Sequence, residues 1–200
     1  MTAPLSHRGD KRIWLVIEGD NGSGKDTLAS QLTIFGFEII NALQMAQSAE
    51  QLARIRNDAA RVTAFLEYNR ICAELAECIT RAVQIRYWPS TLAAAYADEI
   101  MTWEQIQAAA TLQAAYPLQP SMFLYLECSH EVRTKRILDR GAQPGKFDSL
   151  SLIRAARHKS AMTYFSMQLD NWFSLDATLL SPKEVHTEAI EIIKNQIGNL

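Results

Sequence analysis

The sequence predicts a three-layer α/β sandwich with a mostly parallel sheet, and three observations support that prediction. A continuous apolar run at residues 13–17 is typical of a strand buried on both faces of a parallel sheet. A glycine-rich turn and a segment free of helix breakers follow it, in the order strand, turn, helix. Further along the chain, apolar runs alternate with helix-forming segments, which favours parallel β-α units.

The other elements follow from composition and from turn residues. After a first helix at residues 26–33, a turn and a short second strand are expected at residues 36–41. Residues 43–81 contain no Pro or Gly and are rich in Ala, Leu, Glu, Gln and Arg, so we expect two helical segments there. The remaining predictions are a short strand at 83–87, a helix at 103–115, a break at 117–120, a strand at 122–126, a helix at 131–140, a loop at 141–145, a helix at 150–172, an apolar run at 175–180 and a last helix from Ser181-Pro182.

Composition indicates one globular domain at residues 11–200 after a loose polar tail at residues 1–10. The chain of 200 residues is 48% hydrophobic and 21% charged, enough to bury a sizeable core. A net charge of −2 argues against a protein that mainly holds a nucleic-acid backbone, so we expect a small anionic partner instead. The three cysteines are too few and too scattered for a disulfide framework or a zinc site.

No segment of the sequence predicts contact with a membrane. The N-terminal residues are polar and contain no apolar stretch typical of a signal peptide. No later apolar run approaches the length of a membrane span. We therefore expect a cytoplasmic protein without a membrane partner.

The most informative motif lies directly after the first strand. Residues 19–27 read Gly-Asp-Asn-Gly-Ser-Gly-Lys-Asp-Thr, and the spacing Gly19-x4-Gly24-Lys25 is that of a phosphate-binding P-loop. The glycines let backbone N–H groups point at phosphate oxygens, Lys25 adds a positive charge, and the helix start favours an anion. The fold is then a three-layer P-loop NTPase sandwich, and the expected nucleotide-binding residues are Gly19, Asn21, Gly22, Ser23, Gly24, Lys25, Asp26 and Thr27.

The position after the lysine departs from the usual motif, which has Ser or Thr there to bind Mg²⁺. Asp26 occupies this position. Its carboxylate is a stronger ligand for a hard cation than a hydroxyl, so Asp26 is a candidate metal ligand, and Thr27 offers a hydroxyl one residue later. The opposite interpretation, in which Asp26 repels the phosphates, is equally compatible with the sequence.

Several stretches together resemble the thymidylate kinase branch of the nucleoside monophosphate kinases. Residues 18–25 are similar to that family's Glu-Gly-x-Asp-Gly-x-Gly-Lys loop, and residues 86–93 resemble its Asp-Arg-Tyr-x-x-Ser segment. Residues 120–126 resemble its Pro-Asp strand, and residues 136–147 the helix and lid that follow. The end of the chain fits the family's last strand and helix, so the resemblance spans nearly the whole sequence.

The resemblance implies phosphoryl transfer from ATP, with Mg²⁺, to a nucleoside monophosphate. Lys25 would hold the donor β- and γ-phosphates, and Arg86 would neutralise the acceptor phosphate. Arg136 and Arg140, in or beside the lid, would supply further positive charge.

An acceptor site is implied by the same resemblance. Arg70 matches an arginine that the family uses at the acceptor nucleotide, and Leu66 falls where the family has an aromatic residue, for which Phe65 or Tyr68 are substitutes. Asp20 and Tyr96 complete the expected set, although core packing explains Tyr96 equally well. Homodimers are common in the family, and the apolar segment 72–82 is a candidate face for one.

The departures from the family pattern concentrate on acidic positions. Asn21, Ile85 and Ser121 stand where the family has Asp, and residues 41–43 replace its Glu-Pro-Gly segment. Two alternatives therefore stay open: a P-loop kinase with another acceptor, such as a nucleoside or polyphosphate, and a nucleotide-binding regulatory protein without turnover. The basic cluster at residues 154–159 is expected to be an ordinary solvated helix face.

Overall fold

A computed structural model describes residues 12–40, 55, 57–139 and 152–198 of the protein. The predicted tail at 1–10, the first helical segment after residue 43 and the loop at 141–145 lie outside these residues. The described elements are β1 (Ile13–Gly19), α1 (Lys25–Leu32), a 3₁₀ turn (Thr33–Phe35), β2 (Glu38–Ile39), α2 (Asp58–Ala76), β3 (Arg81–Ile85), α3 (Trp88–Ala97), α4 (Trp103–Ala114), β4 (Met122–Glu127), α5 (His130–Asp139), α6 (Leu152–Gln168), β5 (Trp172–Asp176) and α7 (Pro182–Ile197).

The described strands form one sheet in which every neighbouring pair is parallel. The strand order is β2-β3-β1-β4-β5, so β1 is central and pairs with β3 on one side and β4 on the other. Every residue of β1 is buried, as its apolar run predicts. Because all strands point the same way, their carboxyl ends meet at one edge of the sheet, which is where ligands bind in such folds.

Helices cover both faces of the sheet, which confirms the three-layer sandwich. On one face, Trp88 of α3, Ile106 of α4 and Phe165 of α6 pack in a core with side chains of the sheet. On the other face, Leu28 of α1 and Ile190 of α7 pack in a second core. No helix within the described ranges is both long enough and apolar enough to cross a lipid bilayer.

Several element boundaries differ from the prediction. The helix expected to reach residue 172 ends at Gln168, because Trp172 begins β5 and stacks on Phe123 of β4 with the ring centres 5.5 Å apart. The strand predicted at 83–87 starts earlier, at Arg81, and the helix over Trp88–Ala97 was not predicted.

The segment proposed as a dimer face is not a single helix. Residues 72–82 cross the end of α2 and the start of β3, and Cys72 and Ala76 are buried in the core. The start of α7 agrees with the prediction, since Ser181 caps it and Pro182 occupies the first turn.

Candidate functional site

The loop between β1 and α1 closely follows the backbone that its glycines predict. At Gly19 (φ 145°), a Cβ would lie 2.7 Å from Ser23 Oγ and 2.8 Å from the carbonyl oxygen of Leu126. At Gly22 (φ 84°), a Cβ would lie 3.0 Å from the carbonyl oxygen of Arg133. Both positions therefore require glycine for conformation and for space, which explains the motif in physical terms.

Lys25 is buried at the start of α1. Its Nζ donates a hydrogen bond to the carbonyl oxygen of Asp20 at 3.2 Å and lies 3.9 Å from Asp26 Oδ2. Burial, together with the nearby charge of Arg86, lowers the pKa of Lys25 to about 7. An anion bound in the loop would therefore stabilise the charged form of this lysine.

Arg86 directly follows β3, and both its backbone and its side chain form hydrogen bonds with neighbouring segments. Its backbone is left-handed, with φ 66°, a conformation that costs a non-glycine residue roughly 1–3 kcal/mol. Its N–H donates to the carbonyl oxygen of Ile17 at 3.0 Å, and Gln84 Nε2 donates to its carbonyl oxygen at 2.9 Å. Its guanidinium donates to Asn21 Oδ1, so the side chain lies against the P-loop.

Glu18 is fully buried between the loop and the segment that contains Arg86. Its carboxylate accepts hydrogen bonds from the Tyr87 N–H, at 2.9 Å, and from the Ser90 hydroxyl. Burial raises the pKa of Glu18 to about 7, against the opposing effect of these hydrogen bonds and of Arg86. Glu18, the acidic residue that begins the P-loop motif, thus connects β1 to the start of α3.

The first cavity opens beside the loop and has a volume of about 340 Å³. It is lined by the loop from Gly22 to Gly24, by Thr27 and Gln31 of α1, and by residues at the start of α7. Among the residues that the structure describes, none hydrogen-bonds the buried Ser23 Oγ and none caps the start of α1 with its side chain. A polar ligand with oxygen atoms, such as a phosphate chain, would satisfy both.

Arg136 borders this cavity, but its guanidinium is engaged with the backbone. It donates to the carbonyl oxygens of Ala177 at 3.0 Å, Leu180 at 3.4 Å and Gly22 at 3.4 Å. The side chain therefore ties the loop to the connection between β5 and α7, and its predicted catalytic role stays a prediction. Arg140 lies outside the described residues.

The second cavity, of about 300 Å³, lies between α2 and α3, and Arg86 is one of its lining residues. Its walls are largely apolar and aromatic, with a few polar groups, which is the usual character of a small-molecule site. Asn69 is one of these groups, and its Nδ2 donates to Thr91 Oγ1 at 3.2 Å. The lining residues include Arg61, Val62, Phe65, Tyr68, Asn69, Ile85, Arg86, Tyr87, Ser90, Thr91 and Asp98.

Of the five residues expected at the acceptor on sequence grounds, Arg86 lines this cavity, whereas Asp20, Leu66, Arg70 and Tyr96 lie outside its lining. Arg70 points to another face of α2, where it pairs with Glu67 and Glu74. Leu66 and Tyr96 pack against the core. Ile85, where the family has Asp, lines the cavity, so the carboxylate of that position is absent from the site.

Two neighbouring residues on α2 line the cavity instead. Phe65 and Tyr68 are the substitutes already considered for Leu66, and Arg61 stands on the same helix face. Arg61 was missed because no motif marks it. The spacing of 61, 65 and 68, close to the helical period, is the signal that links it to the two aromatic residues.

A third group of residues surrounds Asp20 of the loop. Arg133 is buried, donates to the carbonyl oxygen of Asn21 at 3.3 Å and lies 3.5 Å from Asp20 Oδ2. His158 Nδ1 lies 3.1 Å from Asp20 Oδ1 without hydrogen-bond geometry. Burial lowers the pKa of His158 to about 4, so the ring is neutral near pH 7.

The interpretation of residues 154–159 as a solvated face is therefore wrong for His158. Its neighbours Arg154 and Arg157 pair with Asp98 and Glu99, which directly follow α3, while His158 itself is buried. Arg133, three residues before Arg136 on the same helix face, was also missed.

The residues at the predicted metal position are compatible with Mg²⁺. The Asp26 side chain is 77% exposed and its carboxylate is close to Lys25, while Thr27 is exposed beside it in the first cavity. Mg²⁺ is usually held by one or two protein oxygens together with phosphates, and the Asp26 carboxylate and Thr27 hydroxyl are oxygen donors of that kind. In the described part of the chain, no three His, Cys, Asp or Glu side chains are grouped for a metal.

Comparison with known proteins rests on solved structures. No protein-family model matches the sequence, and no curated protein matches it at a significant level. Thymidylate kinase from Candida albicans superposes with a TM-score of 0.73 at 18% identity, with 92% of each chain covered. Deoxyadenosine kinase from M. mycoides with bound dATP gives 0.64 at 14% identity, covering 91% of this chain and 100% of that one.

The same deoxyadenosine kinase with dCMP and dCDP bound gives a TM-score of 0.67 at 17% identity, with 92% of this chain and all of that chain covered. The parallel sheet, the P-loop and these superpositions define the class of fold: a three-layer α/β P-loop sandwich. Within that class, the architecture is the one that thymidylate kinase and deoxyadenosine kinase share. The resemblance drawn from the motifs is thus confirmed at the level of the fold.

Proposed function

We propose that the protein transfers the terminal phosphoryl group of ATP to a nucleoside monophosphate. The observation that supports this most directly is the position of Arg86. Its guanidinium donates to Asn21 of the P-loop, whose residues Gly22 to Gly24 line the first cavity, and Arg86 itself lines the second cavity. A donor phosphate chain in one cavity and an acceptor in the other would meet at this arginine.

The proposed chemistry needs positioning and positive charge. The loop amides and Lys25 bind the β- and γ-phosphates of the donor, and Arg86 neutralises negative charge between donor and acceptor. Arg136 holds the loop and the β5–α7 connection together, which keeps the donor cavity in shape. Asp26 and Thr27 would hold Mg²⁺, which supplies further positive charge to the phosphate oxygens when bound.

The solved relatives support a nucleotide as the ligand class. M. mycoides deoxyadenosine kinase was solved with dATP and with the products dCMP and dCDP. A nucleoside acceptor is a second candidate for the present protein. The observation in its favour is that Arg70, which the resemblance assigned to the acceptor nucleotide, is paired with Glu67 and Glu74 outside the cavity.

The test is a coupled assay of ADP release with ATP and Mg²⁺ against a panel of nucleoside monophosphates, nucleosides and polyphosphate. Turnover with a monophosphate supports the proposal, and turnover with nucleosides alone supports the second candidate. The Lys25→Met variant is the control for contaminating kinases. Binding of ATP without turnover of any acceptor would contradict a kinase function and favour a regulatory nucleotide-binding protein.

A further inference from the structure

Glu18 is a buried carboxylate that the proposed phosphoryl transfer does not use. Its side chain is inaccessible to solvent and lines neither of the two cavities. Both of its hydrogen-bond partners, Tyr87 and Ser90, belong to the start of α3 and not to the loop that Glu18 precedes. A buried carboxylate needs a structural reason to be retained, because its charge is costly away from water.

The hydrogen bonds of Glu18 replace a missing helix cap. Tyr87 is the N-cap residue of α3, and within the described ranges its own side chain makes no capping hydrogen bond. The first N–H groups of a helix have no partner within the helix, and a negative charge is favoured beside them. Glu18 accepts the N–H of Tyr87 and the hydroxyl of Ser90, so β1 supplies the cap of α3.

The residue immediately before this cap is Arg86. Its N–H is held by Ile17, its carbonyl oxygen by Gln84, and the next N–H along the chain by Glu18. These three contacts fix the peptide groups on both sides of a left-handed residue. Such a conformation persists only where its surroundings over-determine it.

We infer that Glu18 is a positioning residue for Arg86: its carboxylate fixes the start of α3 and thereby keeps the Arg86 guanidinium on the P-loop. Glu18 acts through Arg86 and not on the substrate. The kinetic part of this inference rests on the proposed function, whereas the conformation of Arg86 can be measured without turnover.

The structural test is a pair of crystal structures, of the native chain and of Glu18→Ala. The inference predicts that Arg86 keeps a positive φ and its contact with Asn21 in the native chain and loses both in the variant. An unchanged Arg86 in Glu18→Ala overturns the inference, whatever reaction the protein catalyses. If Glu18→Ala does not fold, Ser90→Ala removes one of the two hydrogen bonds and serves in its place.

The kinetic test compares Glu18→Ala with Glu18→Gln. The glutamine can accept the Tyr87 N–H through its carbonyl oxygen and donate to Ser90 Oγ, so we expect kcat within about threefold of native. The alanine variant should lose more than about tenfold in kcat, with the KM for ATP changed by less than about threefold. The control is Gln105→Ala, which removes a side-chain acceptor from the start of α4, remote from Arg86.

A double mutant distinguishes an effect of Glu18 that acts through Arg86 from a general disruption of the structure. Glu18→Ala added to Arg86→Ala should lower kcat by less than about twofold further, because the arginine that it positions is already gone. A further loss as large as in the native background would overturn the inference. If the native chain turns over no acceptor, the proposed function fails, and the crystal structures still decide the role of Glu18.

Discussion

Nucleotide binding should be coupled to proton uptake by Lys25. In the free protein, burial and the charge of Arg86 lower the pKa of Lys25 to about 7. At pH 8.5, only about 3% of the free molecules carry the charge on this lysine. A bound phosphate chain favours the charged form, so the pKa rises on binding, and each binding event takes up nearly one proton.

The magnitude follows from the same linkage. Above pH 7, the affinity for ADP should fall by up to about tenfold per pH unit, or about 1.4 kcal/mol, as long as the complex keeps Lys25 charged. Titration calorimetry at pH 8.5 in buffers of different ionisation enthalpy measures the uptake directly. Glu18 does not obscure the result, because a carboxyl group with a pKa of about 7 is already ionised at this pH.

Two variants make the assignment specific. Lys25→Arg carries a permanent charge, so proton uptake should vanish even where binding persists. Lys159→Met removes an exposed lysine that is bonded to Glu127, and uptake should stay at nearly one proton. A binding enthalpy of the native chain that does not depend on the buffer would refute the reasoning, because Lys25 would then be charged before the ligand arrives.

Three further predictions concern the second cavity, the metal and acid stability. Arg61→Ala should raise the acceptor KM by at least about tenfold while Arg70→Ala changes it less than about twofold, and equal effects in steady-state kinetics would contradict the placement of the two arginines. Asp26→Ala should abolish Mg²⁺-dependent turnover but not metal-free ADP binding, and ordinary rates in that variant would exclude Asp26 as the metal ligand. Because the pKa of His158 is lowered in the folded protein, the unfolded chain binds more protons between pH 6.5 and about 4. The free energy of unfolding of the native chain should therefore fall by up to about 3 kcal/mol, relative to that of His158→Asn, as pH falls through this window. Urea unfolding of both proteins at several pH values measures this difference, and parallel stability curves would show that His158 titrates normally.

The elements that carry their own local signal were predictable from the sequence. The apolar run of β1, the glycine spacing of the loop and the Ser-Pro start of α7 each specify a local conformation, and the structure has all three. The helix at Trp88–Ala97 was missed because residues 86–93 were compared with a family motif and were not tested for helical periodicity. Its start depends on Glu18, a residue 69 positions away from Tyr87 in the chain.

Which helix face meets the site was the least predictable feature. Arg61 and Arg70 both lie in the segment predicted to be helical, and the resemblance to the thymidylate kinase family favours Arg70 as the acceptor residue. Both arginines pair with flanking acids, Arg70 with Glu67 and Glu74 and Arg61 with Asp58, but Arg61 lines the cavity and Arg70 does not. The placement of such a side chain depends on the packing of α2 against its neighbours and on nearby charges, which a match of motifs does not contain.

Transfer of a labelled γ-phosphoryl group tests the central claim most directly. The native chain and Arg86→Ala are incubated with ATP carrying heavy oxygen in that group, with Mg²⁺ and the nucleoside monophosphate panel, and the products are weighed by mass spectrometry. The account predicts a labelled nucleoside diphosphate from the native chain and a large loss of it in Arg86→Ala. Label recovered only in ATP or in inorganic phosphate would contradict the account.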